Sequence, residues 1–221
     1  MGTIRTGFIS SAVAFSVISG LTVGPAFAAT PADSSSEDPV VIGTAPPAEP
    51  EESDLIEVSD PDSEQTFKPE KPPVDTPNAD YCSPRNIYKP KTKGARYHVA
   101  VGPTNANYNG TSRTAKSTFT SEVTGEVGVT VSAGLSASVS VMVAEIEGKY
   151  GVDLSLKLTA KLGNSMSVNT PPKKTTHGRY GVYRLKNTGV SYRLYSNCKT
   201  SESKTVTSYT PIEVGWTLWE S

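Results

Sequence analysis

From Val129 to Glu145 the chain reads VTVSAGLSASVSVMVAE, and nearly every odd position is apolar: Val129, Val131, Ala133, Leu135, Ala137, Val139, Val141 and Val143. The even positions between them are mostly Ser, Thr or Gly. Alternation of this kind is the signature of a strand with one buried face, and the run is about three times the usual strand length. From Val152 the apolar phase flips to even positions, through Leu154, Leu156, Leu158, Ala160, Leu162, Met166 and Val168. A two-residue turn at Glu147-Gly148, with the glycine supplying a positive φ, would pair the two runs. Val143 then faces Val152, Val141 faces Leu154, Val139 faces Leu156 and Val129 faces Met166. Ser138 meets Lys157, and Ser136 meets Thr159, on the opposite face. The pattern predicts one long amphipathic hairpin.

Elsewhere, strand-like runs alternate with turn residues: GARYHVAVGP, SRTAKSTFTSEVT, GRYGVYRLK, GVSYRLYS, SKTVTSYT and PIEVGWTLWE. No stretch shows a helical period, so the expected class is all-β, a small antiparallel β-sandwich over residues 79–221 built around the long hairpin. GRYGVYRLKNTGVSYRLYSN reads as a second hairpin turning at Asn187-Thr188-Gly189. Its interleaved aromatic and basic residues, Arg179, Tyr183, Arg184, Arg193 and Tyr195 among them, make a candidate surface patch. The alternative is a cross-strand aromatic ladder with solvated arginines.

The first 28 residues read as a secretory leader: Arg5, an apolar stretch from Phe8 to Val23, and Ala26-Phe27-Ala28 as a small-x-small cleavage site. A secreted protein is therefore expected. Residues 29–78 follow as an acidic extension with ten prolines and almost no aromatics. That composition buries too little apolar surface to offset chain entropy, and the extension is expected to be disordered when free. Two apolar islands interrupt it, Val40-Val41-Ile42 and Leu55-Ile56-Glu57-Val58. Val40, Val41, Ile42, Leu55, Ile56 and Val58 are candidates for ordering on a partner, as a strand added to an edge or a filling for a groove. A solvated spacer is the other reading.

Charge divides the chain as composition does. Residues 29–78 carry 13 acidic residues against two lysines, while residues 79–221 carry 18 basic residues against nine acidic ones. The two cysteines, Cys82 and Cys198, are expected to form a disulfide in an oxidising compartment. Neither they nor His98 and His177 stand at metal-ligand spacing, and no nucleophile, phosphate-loop or dinucleotide motif occurs. No enzyme activity, cofactor or metal is expected. Nucleic acid is a poor partner for an exported protein with its own acidic extension.

The pieces KSTFTSEVTGEV, the run from Val127 to Val168, and VNTPPKK together resemble the stem module of aerolysin-like pore-forming toxins, over roughly 60 residues and in texture rather than identity. That resemblance implies a hairpin able to enter a membrane. An acidic, Pro-rich extension ahead of a small disulfide-linked β domain also resembles the adaptor subunit of secreted umbrella toxin particles. This second resemblance implies an extension that docks into one secreted partner and a β domain that grips another. The adaptor accounts for the extension, so the sequence favours a non-enzymatic binding protein in a hetero-oligomeric complex of secreted proteins. The pore former is the alternative.

Overall fold

The computed structural model describes residues 42–48, 54–58 and 81–221. The leader, Val40, Val41 and the greater part of the extension lie outside the described residues. In chain order the elements are β1 (Ile42–Gly43), β2 (Leu55–Glu57), β3 (Arg85–Ala100), β4 (Asn105–Tyr108), β5 (Ala115–Thr120), β6 (Gly125–Gly128), β7 (Thr130–Ser132), α1 (Val139–Tyr150), β8 (Lys157–Ala160), β9 (Ser165–Thr170), β10 (Thr175–Leu194) and β11 (Lys204–Glu220). Among the described residues the fold is all-β apart from one helix.

The expected second hairpin does not exist. β10 is a single strand of 20 residues that runs straight through Asn187-Thr188-Gly189. It is paired on one edge with the 17-residue β11 and on the other with the 16-residue β3, both antiparallel. The two runs expected as SKTVTSYT and PIEVGWTLWE are likewise one strand, β11. Asn-Thr-Gly looks like a turn because Asn and Gly favour turns, but here both residues serve packing. The Tyr88 ring lies where a Cβ on Gly189 would stand. Asn187 is buried, accepts a bond from the Tyr88 hydroxyl at 2.6 Å, and donates to the Thr92 carbonyl at 3.0 Å.

The main sheet has the order β2-β7-β11-β10-β3, with β4 continuing along β10 and β1 lying parallel to the end of β11. Alternation along β10 buries Tyr180 and Val182, then Leu185 and Asn187. The change of parity falls at a bulge between Tyr183 and Arg184, which keeps one face of the strand inward along its length. Two apolar clusters line that face. One gathers Phe119, Val127, Ala160, Val168, Tyr180, Val182, Trp216 and Leu218. The other packs Tyr88, Leu185 and Val206 against Val129, Val131, Ala137, Val139, Met142, Val143 and Ile146.

The long hairpin is also corrected. Val139–Tyr150 is a helix, and Glu147-Gly148 lies within it, not at a turn. The odd-position periodicity has a second reading over this stretch, because Val139, Met142, Val143 and Ile146 fall at i, i+3, i+4 and i+7. All four are buried. The Ser138 hydroxyl caps the first turn by accepting from the Val141 N–H at 3.3 Å, and Gly151 ends the helix in the left-handed conformation. Val141, apolar on the strand pattern, is 43 % exposed on the helix.

Cys82 and Cys198 are bonded, with Cα atoms 5.0 Å apart. The bridge joins the approach to β3 with the turn between β10 and β11, across a sequence separation of 116. Closing such a loop stabilises the fold by about 4–5 kcal/mol on a chain-entropy account. Cys198→Ser is expected to lower the melting temperature markedly, and the oxidised wild type should show no titratable thiol after denaturation. Packing of the helix gives a second expectation. Met142→Ala should cost about 2–5 kcal/mol in urea unfolding, whereas Val141→Ala should cost within about 0.5 kcal/mol. A strand at this place would make the Val141 change comparably expensive.

Candidate functional site

Two short antiparallel pairs lie over the first apolar cluster. β5 pairs with β9 from Ala115↔Thr170 to Thr120↔Ser165, and β6 pairs with β8 from Gly125↔Ala160 to Gly128↔Lys157. The second pair continues the frame of the first, five residues forward on one strand and five back on the other. They are two lengths of one ribbon. The break between them is laced by polar bonds: Ser121 N–H to the Asn164 carbonyl at 2.9 Å, Gly163 N–H to the Ser121 carbonyl at 2.8 Å, and the Ser121 hydroxyl to the Lys161 carbonyl at 3.0 Å. Trp216 Nε1 donates to Asn164 Oδ1 at 2.7 Å and pins this break to the main sheet.

The ribbon has two unlike faces. Phe119, Val127, Ala160 and Val168 point into the core. The outer face carries Lys116, Thr118, Thr120, Ser165, Ser167 and Asn169, all exposed. Its cross-strand hydroxyls are paired, Thr118 with Ser167 at 2.9 Å and Thr120 with Ser165 at 3.0 Å. Farther along, Glu126 forms an ion pair with Lys157, and the hydrogen bond from that lysine holds the Glu126 carboxyl below its usual range.

The frame survives one step past β6 and β8, where Val129 N–H donates to the Leu156 carbonyl at 3.2 Å. Beyond it the strands part. Residues 129–156 leave the ribbon as β7, a coil, α1 and a second coil, and cover the second cluster of the main sheet. Beyond the pairing of β7 with β11 and β2, scattered polar contacts hold this cap, among them Thr207 N–H to the Ser132 hydroxyl at 2.9 Å. Ser136 N–H donates to the Ser191 hydroxyl at 2.9 Å, Ser155 N–H to the Pro211 carbonyl at 2.8 Å, and Leu154 N–H to the Glu147 carboxylate at 2.8 Å. Lys149 Nζ donates to the Pro90 carbonyl.

The residues singled out by sequence are placed as follows. Arg179, Tyr183, Arg184, Arg193 and Tyr195 do not gather into one surface patch. Arg179 and Arg193 are separated along β10 by roughly 45 Å at about 3.3 Å per residue, and Arg184 is only 2 % exposed. Arg184 Nη1 donates to Thr130 at 3.2 Å and its guanidinium lies over Tyr209, with burial lowering its pKa. Tyr183 is fastened by its hydroxyl to the Trp216 carbonyl and Thr217. Of the islands, Ile42 lies in β1 beside Leu218, while Leu55 and Ile56 lie in β2 against β7. The described parts of the extension thus add strands to the protein's own sheet. Among the described residues no helix is long and apolar enough to cross a membrane, and no cluster of three potential metal ligands occurs.

Sequence reasoning missed α1, and with it the separation of ribbon from cap. The signals were available in Ser138, in the i, i+3, i+4, i+7 set, and in Gly151. It also missed the polar seam beneath the cap, where Tyr88, Asn187, Ser191 and Ser208 are buried. Compared with protein-family models, with curated proteins and with solved structures, the chain has no match.

Burial pushes the Tyr88 hydroxyl up to about 12, with the neighbouring Ser208 hydroxyl pulling the other way and the Tyr150 phenol adding to the rise. The unfolded chain ionises this group near pH 10 and the folded protein does not. Its contribution to stability is therefore full below about pH 10 and is lost as pH rises towards about 12. Urea midpoints measured between pH 9 and pH 12 should fall, and the fall should be smaller in Tyr88→Phe.

Proposed function

We propose that the protein forms β-barrel pores, and that residues 129–156 refold as the continuation of the ribbon and enter a bilayer as a hairpin. The common frame of β5/β9 and β6/β8 is the observation that carries this reading. Continued from Val129 and Leu156, that frame sets Val131 opposite Leu154, Ala133 opposite Val152, Leu135 opposite Tyr150, Ala137 opposite Gly148 and Val139 opposite Ile146. The other face pairs Thr130 with Ser155, Ser132 with Asp153, Gly134 with Gly151, Ser136 with Lys149, Ser138 with Glu147 and Ser140 with Glu145. The sorting has no exception on the polar face. Val141, Met142, Val143 and Ala144 are left as an apolar tip.

This frame differs by ten residues from the one that the sequence pattern suggested. Ten is even, so both keep the apolar residues on one side. Each leg then has about 12 residues, more than the 9–11 that cross a bilayer as a tilted strand. Backbone groups in such a hairpin are satisfied only when several copies close a barrel, so the reading implies a ring of protomers. The hydroxyl-rich face would line its water-filled interior. Resemblance to aerolysin-like stems supports the same reading, and a disulfide is compatible with the exported protein it requires.

The adaptor reading draws its support from the extension. Its described islands are already paired to the protein's own sheet, and this favours the pore.

Single cysteines at Ser132, Ala133, Ser136, Ala137 and Ser138, labelled with a polarity-sensitive dye, test the proposal on liposomes. Vesicle contents should be released, and the dye should report lipid at Ala133 and Ala137 but water at the three serines. Absence of release, or a signal without alternation, would remove the reading. Co-purification with other secreted proteins and no effect on vesicles would restore the adaptor.

A further inference from the structure

We infer that β2, the acidic extension's second strand, is a latch that stops the ribbon from zipping into residues 129–156; its consequence for membranes rests on the pore reading, its geometry does not. β7 opens the cap and is held on both edges. On one side Val131 and Thr130 pair with Ser208 and Tyr209 of β11. On the other, Ser132, Val131 and Thr130 pair with Leu55, Ile56 and Glu57 of β2. The cap cannot lengthen the ribbon while β7 lies between these two strands.

The decisive contact is at the rung where the ribbon stops. In an antiparallel ladder two opposed residues of a hydrogen-bonded pair exchange both bonds. At Val129 and Leu156 one of the two is made, from Val129 N–H to the Leu156 carbonyl. The Val129 carbonyl instead accepts from Val58 N–H, at 3.1 Å. The extension occupies the acceptor that Leu156 N–H would use to complete this same rung. Val58 is half-buried and packs against the cluster that contains Val129, Val131, Met142 and Ile146. Its apolar contact therefore strengthens the same blockade. The Glu57 carboxylate stands beside Gly128, the last residue of β6.

Leu55 and Ile56 contribute differently. Ile56 is 60 % exposed, so its share is in the backbone ladder and little in side-chain burial. The hold is thus short: three paired residues and one anchoring valine. A restraint of this size can be overcome by competing contacts, and a single lost hydrogen bond changes its occupancy by about tenfold.

Val58→Pro in the full-length protein removes the N–H that fills the Val129 carbonyl. Hydrogen exchange followed by mass spectrometry should show residues 129–156 exchanging roughly tenfold faster, with β10 as protected as in the wild type. Ile56→Pro repeats the test at an exposed side chain, in case the Val58 change disturbs the core. Ile42→Pro, in β1, which pairs with the end of β11 at Leu218 and not with β7, should leave the cap's exchange unchanged. On liposomes the first two variants should release contents faster than the wild type. Unchanged exchange in both overturns the latch, whatever happens on membranes. Faster exchange with no release from any of the proteins leaves the latch standing and overturns the pore reading beneath it.

Discussion

Everything in this fold is organised by the pairing of β10 along both its edges. A strand of that length can stay straight only if its backbone groups are matched by neighbours of similar length, and β3 with β4 on one side and β11 on the other supply them. The bulge at Tyr183 and Arg184 keeps one face turned inward past the point where the parity of the sequence changes. That continuous inner face is then covered by two different things: a paired ribbon at one end and, at the other, a cap of one short strand, a helix and coils.

The two covers are made from sequence of one texture. In the ribbon the alternation of hydroxyls with aliphatic side chains is used as a strand uses it. In the cap the same alternation is used by a helix and two coils, with Val139, Met142, Val143 and Ile146 turned to the sheet. Met142 supplies an apolar residue at an even position, and Ile146 takes the place that strand periodicity would give to the hairpin's far leg. The cap buries Val129, Val131, Ala137, Val139 and Ile146, all of which the ribbon's frame would keep on its apolar side. What separates them is where the backbone hydrogen bonds go, and the extension holds one of those bonds, at the Val129 carbonyl.

How much of this could be read from the chain follows from the range of the interactions. The all-β class and the strands β5, β6, β8 and β9 rest on local alternation and were legible, and the disulfide was legible because the chain has only two cysteines. The continuity of β10 was not, because Asn187 and Gly189 are placed there for Tyr88, a residue about a hundred positions away. The helix was hidden by a pattern that satisfies two periods over eight residues. The patch of arginines and tyrosines failed for a geometric reason, since residues close in sequence are far apart on one extended strand. The apolar islands were expected to order on a partner, whereas Ile42, Leu55 and Ile56 pair with the protein's own sheet, and no sequence argument says whose edge such a piece completes. The ribbon's frame was found to within an even number of residues, enough to sort the faces and too little to place the turn.

The shared frame of the two ribbon segments also limits how this chain can change length. Between β5 and β6 stand Ser121–Thr124, and between β8 and β9 stand residues 161–164, four on each side. A single residue inserted on one side would turn every side chain of the strand beyond it to the opposite face, bringing Val127 to solvent and Glu126 into the core. Two residues on one side would restore the faces and still set each hydroxyl against a new partner. Only equal and even insertions on both sides lengthen the ribbon without altering who meets whom or which face each residue takes, so this region can drift in length only by matched, even steps.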